Sequence, residues 1–157
     1  MNADRARELL GRVTGVTVAG PGGTVAGTGV PVVAEVAADR WADVAQFVKD
    51  TFGCEFFSFL TAIDWKEQGL EIVAWLDNLD DGLSVELRTK LGAGRTDCPS
   101  LVPVFRGANW MERECFDMFG VRFDGHPDMR RILLADDWVG HPLLKSYAVD
   151  TPHPPYR

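Results

Sequence analysis

The sequence predicts an α+β fold: an antiparallel sheet with helices packed on one face, followed by a short capped helix and an extended C-terminal arm. Three observations predict it. Strand-like apolar runs at residues 56–64, 70–76 and 83–91 are separated by short intervals rich in Gly, Asp and Asn, at 66–69 and 78–82. Connections that short join antiparallel neighbours, since parallel strands need a crossover of a dozen or more residues. Two earlier spans repeat their apolar residues at helical spacing, and beyond residue 120 periodicity is lost. The chain therefore divides into an α+β domain at 1–120 and an arm at 121–157.

Taken in order, residues 4–13 form an amphipathic helix with Leu9, Leu10 and Val13 on one side. Residues 15–29 hold six glycines and one proline and read as a loop or loosely paired hairpin. They match no phosphate-binding glycine pattern and have no lysine nearby. A strand at 30–36 leads to a helix at 39–52, capped by Asp39, with Trp41, Val44, Ala45 and Val48 on its buried arc. Gly53 stands where a left-handed residue ends a helix. In the run 83–91, Leu83, Val85 and Leu87 alternate with Ser84, Glu86 and Arg88, so one face meets a core. Ser100 begins a short helical turn through Phe105.

The helix at 109–119 opens on Asn109 with Glu112 three residues on, a capping-box arrangement, and closes at Gly120. Met111, Cys115, Phe116, Met118 and Phe119 share one arc. Arg113 and Asp117 lie opposite, four apart, and are expected to pair. Glu112 projects among the apolar residues and is explained by capping, whereas Glu114, on the flank near Trp110, is free to pair with a partner. His126, His141 and His153 each precede a proline, which holds the backbone extended. His126 and His141 read as half-buried anchors bonded to backbone carbonyls; His153, in the terminal THPPYR, reads as disordered or clamped by a partner. The arm carries five prolines, brief apolar clusters, Trp138 and Tyr147, and Arg122, Arg130 and Arg131, residue types enriched in interface hot spots. Ordered loops of this length are usually functional, and a tail lying across another protein accounts for this one.

Bulk properties exclude some classes. The 157 residues fit one domain of ordinary composition, 46% hydrophobic and 25% charged. A formal charge of −7 argues against sequence-independent binding to nucleic acid. No signal peptide or membrane-spanning run is visible. Cys54, Cys98 and Cys115 are far apart, form no CxxC and stand at no zinc-ligand spacing, so they read as buried hydrophobes. No metal, no cofactor and no catalytic residue is expected in this chain, although a hydrolase using His126 or His141 is a competing hypothesis of another class.

The run ERECFDMFG from Glu112, then His126, Arg130 and the pair Ile132–Leu133, followed by DDWVGHPL, resembles the signature of the 30 kDa subunit family of respiratory complex I. In bacteria this is the C subunit of NADH-quinone oxidoreductase. FLTAIDW at 59–65 and the two following strands extend the resemblance over roughly 30–147. Leu144 and Ser146 depart from the basic and acidic residues usual around Lys145. The resemblance implies a non-catalytic subunit at the cytoplasmic face of the cell membrane, in a hetero-oligomer whose FMN and iron–sulfur clusters belong to other subunits. Its implied partners are the quinone-site large (49 kDa-type) subunit and the small iron–sulfur subunit beside it. The implied interface residues are Glu112, Arg113, Glu114, Asp117, His126, Arg130, Asp137, Trp138, His141, Lys145 and Tyr147. The equivalent small subunit of a membrane-bound [NiFe] hydrogenase, or of a ferredoxin- or F420-linked complex, shares this signature and stands as the alternative.

Overall fold

The computed structural model describes residues 2–20 and 30–150. Helix α1 (Ala3–Leu10) starts where the Asn2 side chain accepts the N–H of Arg5 at 2.9 Å, and its Ala6 and Leu10 are buried. Strands β1 (Val16–Val18) and β2 (Val32–Val36) follow; the remainder of the predicted glycine loop lies outside the described residues. Helix α2 (Trp41–Phe52) is entered through a 3-10 turn, Ala38–Arg40. This corrects the expected cap. Asp39 sits inside the 3-10 turn, where the Arg40 and Trp41 N–H groups already bond the carbonyls of Ala37 and Ala38, so no side chain is needed at the helix start. At its other end Gly53 is left-handed, φ +64, and the Asn78 amide donates to the Phe52 carbonyl at 2.7 Å.

Strands β3 (Phe56–Asp64), β4 (Leu70–Asn78) and β5 (Leu83–Gly92) form the antiparallel meander that the short connections require. The sheet order is β1-β2-β5-β4-β3. One seam differs from the expected antiparallel sheet: β2 pairs with β5 in parallel, Val32 opposite Val85 and Ala34 opposite Leu87. The chain leaves β2, crosses the sheet through α2, and enters β3 at the far edge. Two reversals later β5 runs in the direction of β2.

The two faces of the sheet are unlike. Val32, Ala34, Leu60, Ala62, Ile72, Ala74, Leu76, Val85 and Leu87 point to one side and pack with α1, α2 and α3 (Ala108–Phe119) in a single core. All three helices lie on that side, as predicted. The opposite face carries Glu35, Glu71, Glu86, Arg88 and Lys90, with Phe59 stacked on Trp75 at 5.9 Å. Its Val33 and Val73 are buried yet stand outside the helical core. A small parallel pair, β6 (Asp97–Pro99) and β7 (Arg122–Asp124), sits beside α3, so Val121 and Phe123, at the start of the predicted arm, are buried in the body.

Candidate functional site

The signature residues fall on α3 and on the arm that folds back along it. Between β6 and α3 the chain makes one helical turn, in which the Phe105 N–H reaches the Leu101 carbonyl at 2.7 Å. Ser100 caps this turn by accepting the Val102 N–H. Helix α3 then begins at Ala108, one residue before the expected cap, with Gly107 before it and no side-chain cap bond. The N–H of Asn109 is already taken by the Arg106 carbonyl. The capping box therefore does not form. Glu112 turns instead to the Ser100 turn: its carboxyl accepts the Ser100 hydroxyl and the Leu101 N–H, both at 2.6 Å. It is fully buried without a cation beside it, and burial pushes its pKa up to about 7 against the pull of those two donors.

The expected Arg113–Asp117 pair is also absent, because both side chains are claimed by the arm. Arg113 donates to the carbonyls of Arg130 (3.0 Å) and Arg131 (2.9 Å). Asp117 is fully buried; its Oδ2 collects the N–H groups of Ile132, Leu133 and Leu134 at 2.8–3.1 Å, and its Oδ1 takes the Arg131 guanidinium at 2.5 Å. Burial opposes its charge, but these donors outweigh it and hold its pKa below the usual carboxylate range. Arg131 goes on to donate to the carbonyls of Trp138 and Gly140, so one guanidinium ties helix, turn and arm together.

Both described histidines anchor backbone, as their sequence context predicts. His126 Nδ1 accepts the Asp128 N–H, which leaves Nε2 protonated to donate to the Asn109 carbonyl at 3.0 Å. His141 Nδ1 bonds the Asp117 carbonyl at 2.9 Å, and its ring lies over Gly120. Both ring nitrogens of His126 are thus engaged by backbone groups. His153 lies outside the described residues.

The other predicted positions divide. Arg130 grips Asp128 in a two-pronged exposed pair at 2.6 and 2.7 Å. Trp138 is half-buried, and Tyr147 packs its ring against Gly140. Lys145 donates its backbone N–H to Asp64 at 2.7 Å. Glu114 and Asp137 are exposed, and their side chains bond no other residue among those described. Sequence reasoning missed three anchors: Ser100, Asp64 and the central place of Arg131, which it read as an exposed contact. Asp64 had a signal, an Asp ending an apolar strand just before a turn, where its carboxylate can bond the backbone two residues on. Around this clasp Trp110, Leu133, Val139 and Leu143 remain exposed. Among the described residues no group of His, Cys, Asp and Glu is placed to hold a metal.

The sequence profile of the family described as "Respiratory-chain NADH dehydrogenase, 30 Kd subunit" matches residues 34–153. The NADH-quinone oxidoreductase C subunit of Geobacter sulfurreducens is 37% identical over 135 residues, 80% of each chain. In Phocaeicola vulgatus the similar protein is the C/D subunit of NADH-quinone oxidoreductase, 44% identical over 59% of this chain but only 18% of its own length. Two solved structures share the fold at 22% identity. One is a trypsin-resistant fragment of Nqo5, with TM-score 0.65, covering 82% of this chain and 99% of the fragment. The other is the membrane-bound sulfane sulfur reductase, an archaeal respiratory membrane complex, with TM-score 0.68, covering 85% of this chain and 76% of that one. With the profile spanning most of the chain, and the signature helix and arm inside the matched region, this protein belongs to the 30 kDa subunit family of the respiratory-chain NADH dehydrogenase, known in bacteria as the C subunit of NADH-quinone oxidoreductase.

Proposed function

We propose that this chain is a non-catalytic peripheral-arm subunit of a proton-translocating, complex I-type NADH-quinone oxidoreductase. It supports assembly and docks against the large subunit that carries the quinone site and the small iron–sulfur subunit beside it. The observation that carries this reading is the arm held along α3. Its buried charges are spent on backbone amides and carbonyls, which gives an aperiodic segment a fixed shape, while Trp110, Leu133, Val139 and Leu143 are left facing outward. Apolar and aromatic groups presented on a rigid segment suit association, because little conformational entropy is lost on binding. The joined C/D name of the Phocaeicola vulgatus protein supports close placement of this chain beside a D-type neighbour. FMN and iron–sulfur clusters belong, in this reading, to other subunits. No helix among the described residues is long and apolar enough to cross a membrane, in keeping with attachment to the cytoplasmic face through neighbours.

Asp117→Asn tests the reading. It leaves the Arg131 guanidinium, 15% exposed, without its counter-charge, at a cost of about 3 kcal/mol. The expected outcome is less assembled complex on blue-native gels, with quinone reduction per assembled complex unchanged. Normal assembly with collapsed turnover would overturn it. Mass spectrometry of co-purifying chains separates this complex from the hydrogenase alternative: flavin-carrying partners mark the former, a nickel subunit the latter.

A further inference from the structure

Two stretches of the arm combine a fixed backbone with bare apolar side chains. The N–H of Leu133 is held by the Asp117 carboxylate at 2.8 Å, between those of Ile132 and Leu134, which the same oxygen holds. Val139 lies between the Trp138 and Gly140 carbonyls, both taken by the Arg131 guanidinium. Yet Leu133 is 61% exposed and Val139 85%. A loosely attached segment exposes apolar groups by default, but these are exposed where the backbone is held firmly. Between them the Trp138 N–H bonds the Ala135 carbonyl at 3.0 Å, and this turn carries Asp136 and Asp137 at its tip.

Helix α3 extends the same surface. Trp110, Arg113, Glu114 and Asp117 are spaced three and four apart, so they line one side of the helix, the side on which Arg113 and Asp117 bind the arm. Trp110 and Glu114 therefore border the arm, Trp110 71% exposed and Glu114 exposed one turn further on. The charges along this border are unequal. Arg131 is taken by Asp117 and Arg130 by Asp128, and Asp136 lies in the field of Arg130. Arg113 spends its donors on two arm carbonyls, and its charge also acts on Asp128. Glu114 and Asp137 enter no ion pair or hydrogen bond among the described residues. Five carboxylates (Glu114, Asp117, Asp128, Asp136 and Asp137) thus stand against these three guanidinium groups, and the face keeps a negative charge.

We propose that this face seats a basic surface of a partner protein in the complex, its apolar centre against Trp110, Leu133 and Val139 and its lysine or arginine groups on Glu114 and Asp137. The proposal rests on the reading of this chain as a subunit and names the chemistry of the surface that the arm meets. Large apolar groups on a fixed backbone supply contact area at small entropic cost. The unpaired carboxylates select the occupant: a basic rim gains their attraction, whereas an acidic protein surface, a nucleic acid or an anionic lipid headgroup is repelled.

Carboxylate labelling with a carbodiimide and glycine ethyl ester, read by mass spectrometry on the intact complex and on the isolated chain, provides the test. Glu114 and Asp137 are expected to be modified readily in the isolated chain and protected in the complex. The Glu114→Lys/Asp137→Lys variant changes only side chains that bond nothing in their own chain, so it melts as the unaltered chain does. It leaves the complex at lower salt, held roughly tenfold more weakly. Glu114→Gln/Asp137→Asn guards against a folding defect in the reversed variant: its retention falls between the two, and its release depends less on salt. Leu133→Ser/Val139→Ser loosens the chain without altering that salt dependence. Carboxylates labelled as fully in the complex as in isolation overturn the face. Protection together with a reversed variant held as tightly as the unaltered chain overturns the basic partner, and either result leaves the subunit reading standing. Protection already present in the isolated chain through self-association assigns the face to a second copy and overturns the proposal. Failure of the unaltered chain to join any complex overturns the subunit reading itself.

Discussion

Glu112 and Asp117 are both fully buried on one helix, yet they hold their protons differently. Asp117 is met by three backbone N–H groups and a guanidinium and stays ionised, whereas Glu112 has one N–H and one hydroxyl and no cation. The number of donors decides between the two. With its folded pKa raised from 4.5 to about 7 by burial, Glu112 favours the folded state fully below pH 4.5, where both states are protonated. Between 4.5 and 7 the unfolded chain has released the proton while the folded chain keeps it, so stability falls as pH rises, by at most about 1.4 kcal/mol per pH unit. Glu112→Gln, which can give a donor to Ser100 and an acceptor to Leu101, removes this component. Melting temperatures compared from pH 5 to 7.5 check it: the decline is shallower in the variant, and an equal slope in both chains would assign the titration elsewhere.

At the scale of elements, local rules were legible wherever neighbours in sequence decide the structure. Gly53 and Gly120 end their helices left-handed, as their positions after the last turn require, and the alternation of Leu83, Val85 and Leu87 marked a strand with one face in the core. What escaped was settled by groups distant in sequence. Arg113 and Asp117 satisfied the i,i+4 rule on paper, but a backbone arriving from residues 130–134 offers Asp117 three aligned N–H groups, and a surface pair is worth only about 0.3–0.5 kcal/mol against that. The parallel seam was hidden for the same reason, since no local pattern in 32–36 says which strand will lie beside it. Gly69 and Gly82 give a test at this scale. Both have positive φ, +91 and +66, but a Cβ on Gly82 meets nothing within 4 Å while one on Gly69 meets backbone at 2.1 Å. Gly82→Ala costs about 1 kcal/mol for its backbone conformation. Gly69→Ala costs several times more, since β4 and the end of β5 must part. Urea midpoints for the two variants measure the difference.

For the whole molecule, the arm is fastened to the domain at two places, along α3 through Asp117 and Arg131 and at the end of β3 through Asp64. A chain of net charge −7 thus presents a shaped surface of apolar groups. The parallel seam between β2 and β5 has a consequence in time. The meander β3–β4–β5 closes through turns of a few residues, whereas β2 can dock only after α2 and three strands have been laid down, and closing the longer loop costs more entropy. The meander is therefore the nucleus on which the rest condenses, with β1 and β2 joining afterwards. In pulse-labelled refolding, amides of Val73 and Leu87 gain protection before that of Ala34, and N-terminal residues are the last part of the sheet to become resistant to exchange.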